Sequence, residues 1–546
     1  MNMKLAKTIK TVLSAAMVMT LVGCGSKDSN SGNSQNAPAQ NTAETASNTQ
    51  LNIVASDKLN PDSAVKDSLT IGYSTLWESL TPYRNNNNNK NLYSYAIYET
   101  LAKKTGEGDY IPWTAKTWSM REDGVTFDVE LFEGITDSAG NVITSSDVVW
   151  FLNESAARGL KPCFSNLEGA EETGELTFTI KLKNDVYGSF EKILIETFTF
   201  SKKAFDESGD EFALHPITTS AYTVEEYVPQ STLKLKLRDD YWNKDAAPVN
   251  KSNIREVTFQ QISEASQAGI AMEKGIVDAF INIDANTLKQ FEGDSNYEIH
   301  KGLNSNGVQL YFSGDESKLI QQDVHLRRAI AYVINAEGII QGVFGGNASL
   351  MHDVNPEVND GYLPEWKDEE YFPYDVEKAK AELAQSAYKG EDLSLMISSN
   401  ASMSRMAQMI QNNALEIGIN IKLNTLDNAG FSAQRLDGSA YDLIIISNGG
   451  DSLTNFWSTR FDSTVYKLGD ATARNDQTLT DLIHKTSTHA NFTKENINEV
   501  RNYINDNMYG YGIVHPLSLD LISSSAGVKE YVETSFGTVD LLSSTY

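Results

Sequence analysis

The chain has 546 residues, which is long enough for two or three domains with sizeable hydrophobic cores. Its 73 acidic residues outnumber its 45 basic residues, and the formal net charge of −28 argues against nucleic acids and anionic lipid headgroups as partners. Two cysteines and seven scattered histidines give no spacing typical of a zinc site, so no metal and no cofactor are expected.

The first 24 residues are typical of an export signal. Three lysines precede an apolar segment, residues 11–22, that is too short to span a bilayer as a mature helix. The segment ends in Leu21-Val22-Gly23-Cys24, which resembles the lipobox of bacterial lipoproteins, where the signal peptide is cut before a cysteine that carries lipid. The resemblance implies a signal peptide at residues 1–23 and a lipid on Cys24. The alternative is an ordinary secretory signal with an unrelated cysteine.

A lipid on Cys24 would hold the protein on the extracytoplasmic face of the cell membrane. Residues 24–66 are rich in Ser, Asn, Gln, Ala and Thr and have few large apolar side chains, which predicts a flexible tether. Such a tether has a root-mean-square reach on the order of 35 Å. The only other cysteine, Cys163, is then expected to be a small buried hydrophobe rather than half of a disulfide.

The folded chain begins with an alternating strand at residues 69–73, followed by a helix predicted at residues 92–101. Residues 118–132 alternate around Asp123-Gly124, which predicts a hairpin. A helix is expected to start at Ser145 as its N-cap, and residues 175–182 form another alternating strand.

The C-terminal part predicts a parallel sheet. Residues 393–398 form a strand, and Met406, Met409, Ile410, Ala414 and Ile417 then recur at helical spacing, which is typical of the core face of a helix. Gly418 ends this helix, and an alternating strand follows, so the unit is strand-helix-strand and the fold class is α/β.

Several motifs appear in a fixed order along the chain. They are Tyr98-Glu99-Thr100-Leu101, Pro112-Trp113-Thr114-Ala115-Lys116-Thr117-Trp118, Asp123-Gly124, Thr144-Ser145-Ser146-Asp147-Val148-Val149, Arg238-Asp239-Asp240-Tyr241-Trp242, Gly275-Ile276-Val277-Asp278, the helix 324–334 and the helix 375–383. With these motifs in this order, the chain resembles the extracytoplasmic substrate-binding proteins of peptide and nickel ABC transporters. One departure is Pro216 to Tyr222, where the glycines and the proline of the family's turn are replaced.

The resemblance implies a two-lobe, periplasmic-binding-protein-like α/β fold with a hinged cleft and an extra domain inserted in the first lobe. The implied segments are residues 69–100, 216–283 and 515–546 for the first lobe, 101–215 for the inserted domain and 284–514 for the second lobe.

A buried strand at residues 443–447 ends in Asn448-Gly449-Gly450-Asp451. Ligands of open α/β sheets collect beyond the carboxyl ends of strands, so Asp451 is predicted to bind the charged amine of a peptide. Asn448 and the main chain of Gly449 and Gly450 are predicted to bind the peptide backbone. The alternative is an ordinary polar loop with a solvated Asp.

Four aromatic residues are predicted to form walls of the pocket: Tyr73, Trp77, Tyr311 and Trp457. In the family, the loop with the amine-binding Asp continues to an Asn-Phe pair, which Asn455-Phe456 match. The loop is about two residues shorter in this chain.

The function implied by the resemblance is capture of a short peptide and its delivery to the permease of an ABC transporter by a monomeric, lipid-anchored protein. Within the same fold, the solute is alternatively a nickel chelate, an oligosaccharide or a signalling peptide. A surface-anchored hydrolase is the alternative from another class. Since the sequence has no Gly-x-Ser-x-Gly, His-Glu-x-x-His or Cys-x-x-Cys motif, no enzyme is expected.

Overall fold

A computed structural model describes most of the chain after residue 65. The described residues are 66–83, 92–105, 108–159, 162–243, 254–369, 371–449, 452–465, 472–534, 537–544 and 546. The predicted signal peptide, Cys24 and the tether up to residue 65 lie outside the described residues, as do Gly450 and Asp451.

The described residues form short strands and helices in alternation. The strands are β1 Lys66–Tyr73, β2 Glu99–Thr100, β3 Ala102–Lys104, β4 Tyr110–Pro112, β5 Ala115–Met120, β6 Thr126–Leu131, β7 Leu167–Glu172, β8 Thr177–Leu182, β9 Phe198–Thr199, β10 Tyr222–Val228, β11 Thr232–Leu237, β12 Ile254–Gln261, β13 Ala279–Phe280, β14 Tyr297–Leu303, β15 Gly307–Phe312, β16 Ala348–Leu350, β17 Leu393–Ser398, β18 Ile421–Leu426, β19 Leu443–Asn448 and β20 Gly510–Ser523. The α-helices are α1 Leu92–Ile97, α2 Ser145–Arg158, α3 Ser189–Glu196, α4 Lys202–Ser208, α5 Ala265–Glu273, α6 Ala285–Leu288, α7 Leu319–Gln322, α8 Val324–Tyr332, α9 Ala336–Phe344, α10 Val376–Leu383, α11 Ala401–Glu416, α12 Asn428–Gln434, α13 Leu453–Arg460, α14 Gln477–Thr486 and α15 Lys494–Asp506.

A mixed sheet of 12 strands runs through the described part of the chain in the order β10-β11-β12-β1-β13-β20-β15-β19-β17-β18, with β14 and β16 also paired to β20. Strand β1 is parallel to β12 and β13, and β17 is parallel to β18 and β19. A separate antiparallel sheet has the order β5-β6-β8-β7. The predicted α/β class and the predicted strand-helix-strand unit are therefore confirmed.

Strand β20 is 14 residues long and joins two halves of the large sheet. Its N-terminal part pairs with β15, and its C-terminal part pairs with β14 and β13. We call the described residues within 66–303 and 517–546 the first half, and residues 307–514 the second half. The chain therefore crosses between the halves twice, at residues 304–306 and 515–516.

Each half has its own hydrophobic core. In the first half, one cluster combines residues such as Ile71, Phe127 and Leu541, and a smaller one includes Phe291 and Leu521. Two clusters in the second half lie on either side of strands β15 and β19. Residues 284–303, assigned to the second lobe in the prediction, pack with the first half because β14 pairs with β20 there. The lobe boundaries themselves stay a prediction.

Local sequence signals explain several element boundaries. The predicted hairpin is present as β5 and β6, with Gly124 at a φ of +71° in the turn. Helix α2 begins at Ser145, so its N-cap lies one residue before the predicted one: Thr144 is the N-cap, and its backbone N–H donates to the Asp147 carboxylate at 3.0 Å. Strand β1 begins at Lys66, which the prediction assigned to the tether.

Helix α1 was predicted to end at Leu101, but it ends at Ile97. The chain then forms strand β2, and the buried carboxylate of Glu99 accepts hydrogen bonds from Trp113, Tyr241 and Trp242. These tertiary contacts outweigh the local helical pattern.

The predicted core face of helix α11 is confirmed, with Met406, Ile410 and Ala414 fully buried. Cys163 is half-buried and packs against the first half's larger cluster. Among the described helices, none has the length and apolar character that a membrane span requires.

Candidate functional site

The predicted site begins where β19 ends. Strand β19 is buried because it lies between β15 on one side and β17 on the other, and its residues Leu443 to Ile446 are all apolar. It continues one residue beyond the prediction, to Asn448. Helix α13 starts soon afterwards, with Ser452 Oγ accepting from the Asn455 backbone N–H at 3.3 Å. Residues 449–452 connect them in the sequence, and the structure describes Gly449 and Ser452 of this segment.

Asn448 is only 7% exposed and forms three hydrogen bonds with the side chains of Gln309 and Arg460. Its backbone N–H donates to Gln309 Oε1 at 3.3 Å, and its carbonyl accepts from Gln309 Nε2 at 3.1 Å. Its side-chain Oδ1 accepts from an Arg460 guanidinium nitrogen at 2.8 Å. Its Nδ2 is buried and has no hydrogen-bond partner among the described residues. The Asn448 side chain therefore has a fixed N–H donor at the end of β19 that no described residue accepts.

Gly449 packs against the first crossing between the halves. A Cβ at this position would lie 2.1 Å from the Ser305 carbonyl oxygen and 2.5 Å from Asn306 Oδ1. The structure thus gives a reason for the glycine that differs from the predicted close approach to a ligand: the close neighbour is the protein's own backbone. This contact places Gly449 beside the connection at residues 304–306.

The loop of residues 353–362, which we call the second loop, lies beside Ser452. Asp353 is fully buried and forms an ion pair with Arg501, and burial raises the pKa of the Asp353 carboxyl despite this pairing. Asp360 forms a parallel bridge with Ser452, and its carbonyl accepts from the Leu453 N–H at 3.0 Å. The second loop is therefore fixed to the start of helix α13.

The side chain of Asn359 in this loop is 4% exposed, and neither its Oδ1 nor its Nδ2 has a hydrogen-bond partner among the described residues. An unpaired buried polar group costs about 1–3 kcal/mol. Together with Asn448 Nδ2, three buried amide atoms of two asparagines have no hydrogen-bond partner among the described residues.

The first half contacts these loops directly. Lys104 forms an ion pair with Asp360, and the Tyr110 hydroxyl donates to the same carboxylate at 2.5 Å. Burial raises the pKa of Asp360, although the bond from Lys104 acts in the opposite direction. The Thr454 hydroxyl donates to the Tyr187 carbonyl at 2.7 Å. Residues of the predicted inserted domain therefore cover Asp360 and the start of helix α13 in the second half.

A further contact between the halves, which we call the His489 contact, consists of Asp185, Glu191 and His489. His489 Nδ1 lies 2.5 Å from Asp185 Oδ1, and its Nε2 lies 3.8 Å from Glu191 Oε1. Burial lowers the pKa of His489, but the nearby carboxylate of Glu191 and the hydrogen bond to Asp185 outweigh it, so the pKa is raised. Beside it, the Tyr187 ring stacks on Phe492 with 3.7 Å between centroids.

The four predicted aromatic walls are buried in the cores. Tyr73 and Trp77 belong to the larger cluster of the first half, while Tyr311 and Trp457 belong to a cluster of the second half. Trp457 has no exposed surface, and its indole N–H donates to Asn355 Oδ1 at 2.7 Å. The structure does not bring the four together, and their contact with a solute stays a prediction.

Sequence reasoning missed the second loop and the His489 contact. The signal for the loop was Asn359-Asp360-Gly361, which is typical of a turn, but nothing in the local sequence indicates that Asn359 is buried. In the described part of the chain, no group of three or more His, Cys, Asp or Glu residues is arranged to hold a metal ion.

The arrangement is that of two halves meeting around a polar site, and comparison with known proteins identifies the family. Residues 109–466 match the model of the bacterial extracellular solute-binding proteins, family 5 Middle. The chain belongs to this family. The predicted resemblance and the two-lobe α/β fold are confirmed, and the family is one of extracellular solute-binding proteins associated with transport rather than a family of enzymes.

Two relatives of this family 5 solute-binding protein are named after the solutes that they bind. The chain is 23% identical to the glutathione-binding protein GsiB of Shigella boydii serotype 4 over 383 residues, covering 69% of this chain and 72% of that one. It is also 23% identical to the dipeptide-binding protein of Escherichia coli strain K12 over 417 residues, covering 69% and 75%.

Among solved structures, the family 5 fold is similar to the ABC transporter substrate-binding protein CtaP from Listeria monocytogenes. The TM-score is 0.76 at 20% identity, and the likeness covers 88% of this chain and 99% of that one.

Proposed function

We propose that this family 5 solute-binding protein captures short peptides outside the cytoplasmic membrane and delivers them to the permease of an ABC transporter. The observation that carries the proposal is the buried Nδ2 of Asn448, which has no hydrogen-bond partner among the described residues and lies at the end of β19, where the two halves meet. Peptides differ in their side chains and share a main chain, so a fixed amide suits a general peptide carrier. The names of the glutathione-binding and dipeptide-binding relatives support the same class of solute.

In this proposal Asp451 binds the charged amine of the peptide. The residue follows Asn448 and Gly449, whose positions are fixed by Gln309 and Ser305. Asn448 is largely buried, and in such surroundings a charge pair contributes more than in water. We place the lipid on Cys24 and expect the protein to act as a monomer without hydrolysing its solute.

The test is calorimetry with a tripeptide in two forms, one with a free amine and one N-acetylated. Because removing the partner of a desolvated charge costs about 2–5 kcal/mol, Asp451→Asn should weaken binding of the free-amine form by a factor of about thirty or more. Binding of the N-acetylated form should scarcely change. Asp67→Asn is the matched control, since Asp67 is on the surface of strand β1 with a side chain that is 96% exposed.

Equal affinities of wild type and Asp451→Asn for the free-amine peptide would remove Asp451 from the site. Mass spectrometry of the peptide after long incubation separates carrier from hydrolase, because a carrier returns the peptide intact. A thermal-shift screen that includes nickel chelates and oligosaccharides tests the solute class, since a bound solute raises the unfolding temperature.

A further inference from the structure

Asn359 has a buried side chain whose hydrogen-bonding groups have no partner among the described residues. We propose that Asn359 is a second binding residue for the solute: its amide pairs with one peptide group, with Nδ2 donating to a carbonyl oxygen and Oδ1 accepting from the adjoining N–H. This inference rests on the proposed peptide-binding function and adds a residue that determines the class of solute.

The backbone fixes Asn359 in place. Its N–H donates to the Pro356 carbonyl at 3.1 Å, and its own carbonyl accepts from the Tyr362 N–H at 3.0 Å. The next residue, Asp360, is bridged to Ser452 and is also bound by Lys104 of the first half. Asn359 therefore lies one residue from Asp360, which contacts both Lys104 of the first half and Ser452 of the second half.

The chemistry of the unpartnered atoms indicates an amide-containing solute. A primary amide presents a donor and an acceptor side by side, and a peptide group presents the complementary pair. Asn448 Nδ2 adds one more donor, which fits a second carbonyl of an extended main chain. A peptide satisfies all three atoms without a buried charge. Ordered water is the competing explanation, because buried water commonly satisfies such groups.

Stability and binding together distinguish these explanations. Asn359→Leu removes the amide and keeps a similar volume. If only the solute satisfies Asn359, the peptide-free variant should unfold at the same or a higher urea concentration than wild type, because an unpaired polar group has been replaced by an apolar one. Its affinity for alanine dipeptide, tripeptide and tetrapeptide, measured by calorimetry, should fall by about tenfold or more.

Asn355→Leu is the matched control. Asn355 is also a buried asparagine of the same loop, but its amide bonds to Asp353 and Trp457. This variant should unfold at a lower urea concentration than wild type. The contrast between the two variants shows whether the amide at residue 359 has a partner in the peptide-free protein.

Two results would overturn the inference. The first is a lower unfolding midpoint for peptide-free Asn359→Leu, which would show that the amide is already bonded to water. The second is an unchanged affinity of Asn359→Leu for an alanine peptide that wild type binds. If wild type binds none of the three alanine peptides and also no peptide of a broader pool, the result would instead count against the proposed function.

Discussion

The His489 contact predicts a pH dependence of the association between the two halves. The imidazole lies between the carboxylates of Asp185 and Glu191, which come from the other half. Its pKa is raised above the ordinary value of 6.5. A raised histidine pKa means that the stabilisation is complete below about pH 6.5 and is lost as the pH rises through the raised pKa. The neighbouring Tyr187 stays neutral in this range, because burial raises its pKa to about 12.

The size of the effect follows from the partial burial of the partners. A hydrogen bond to a charged group contributes about 1.5–3 kcal/mol. The carboxylate side chains retain 22% and 26% exposure, so solvent screens the interaction and the lower end of this range applies. About 1.5 kcal/mol corresponds to roughly a tenfold change in the fraction of molecules in which the His489 contact is open.

Hydrogen exchange measures this population without a solute. After correction for the intrinsic exchange rate, protection of the amides in residues 183–192 and 486–493 should fall by about tenfold in wild type between pH 6 and pH 9. His489→Gln should show low protection that does not change with pH. His215→Gln is the control, because His215 is about half exposed and lies away from this contact. The same decline with pH in wild type and His489→Gln would refute the reasoning.

Two further predictions concern Gly449 and the proposed lipid on Cys24. Gly449→Ala should lower the free energy of unfolding by about 1–3 kcal/mol in urea, because the new Cβ meets the Ser305 backbone. Gly169→Ala, which meets only a side-chain oxygen at 3.6 Å, is the control, and equal losses in the two variants would contradict the steric argument. Cys24→Ser should move the protein from the membrane fraction to the soluble fraction after cell lysis, and an unchanged distribution would exclude the lipid on Cys24.

The sequence was most informative where local patterns and tertiary packing agree. The β5–β6 hairpin follows from Asp123-Gly124, and the β17-α11-β18 unit follows from alternating and helical spacing with Gly418 as the stop. Strand β19 was also predicted within one residue, because its continuous apolar run fits only a strand that is buried on both faces.

The sequence was least informative where the structure depends on residues far apart in the chain. The early end of helix α1 depends on Glu99 and on donors up to 143 residues away. The contact of Gly449 with Ser305 and that of His489 with Asp185 likewise join distant segments. No local period in the sequence encodes such partners. The candidate site at the end of β19 could therefore be proposed from the sequence, whereas the residues that contact it from the first half could not be predicted.

The packing of the C-terminal segment has a consequence for the order of folding. Six residues between 522 and 546, among them Ile522, Val539 and Leu541, belong to the larger core cluster of the first half, whose other buried members all lie before residue 304. The first half therefore has an incomplete core until residues 517–546 leave the ribosome or the export channel, a delay typical of high contact order. The second half is contiguous from 307 to 514 and can close its core earlier, so the segment made first is expected to finish folding last.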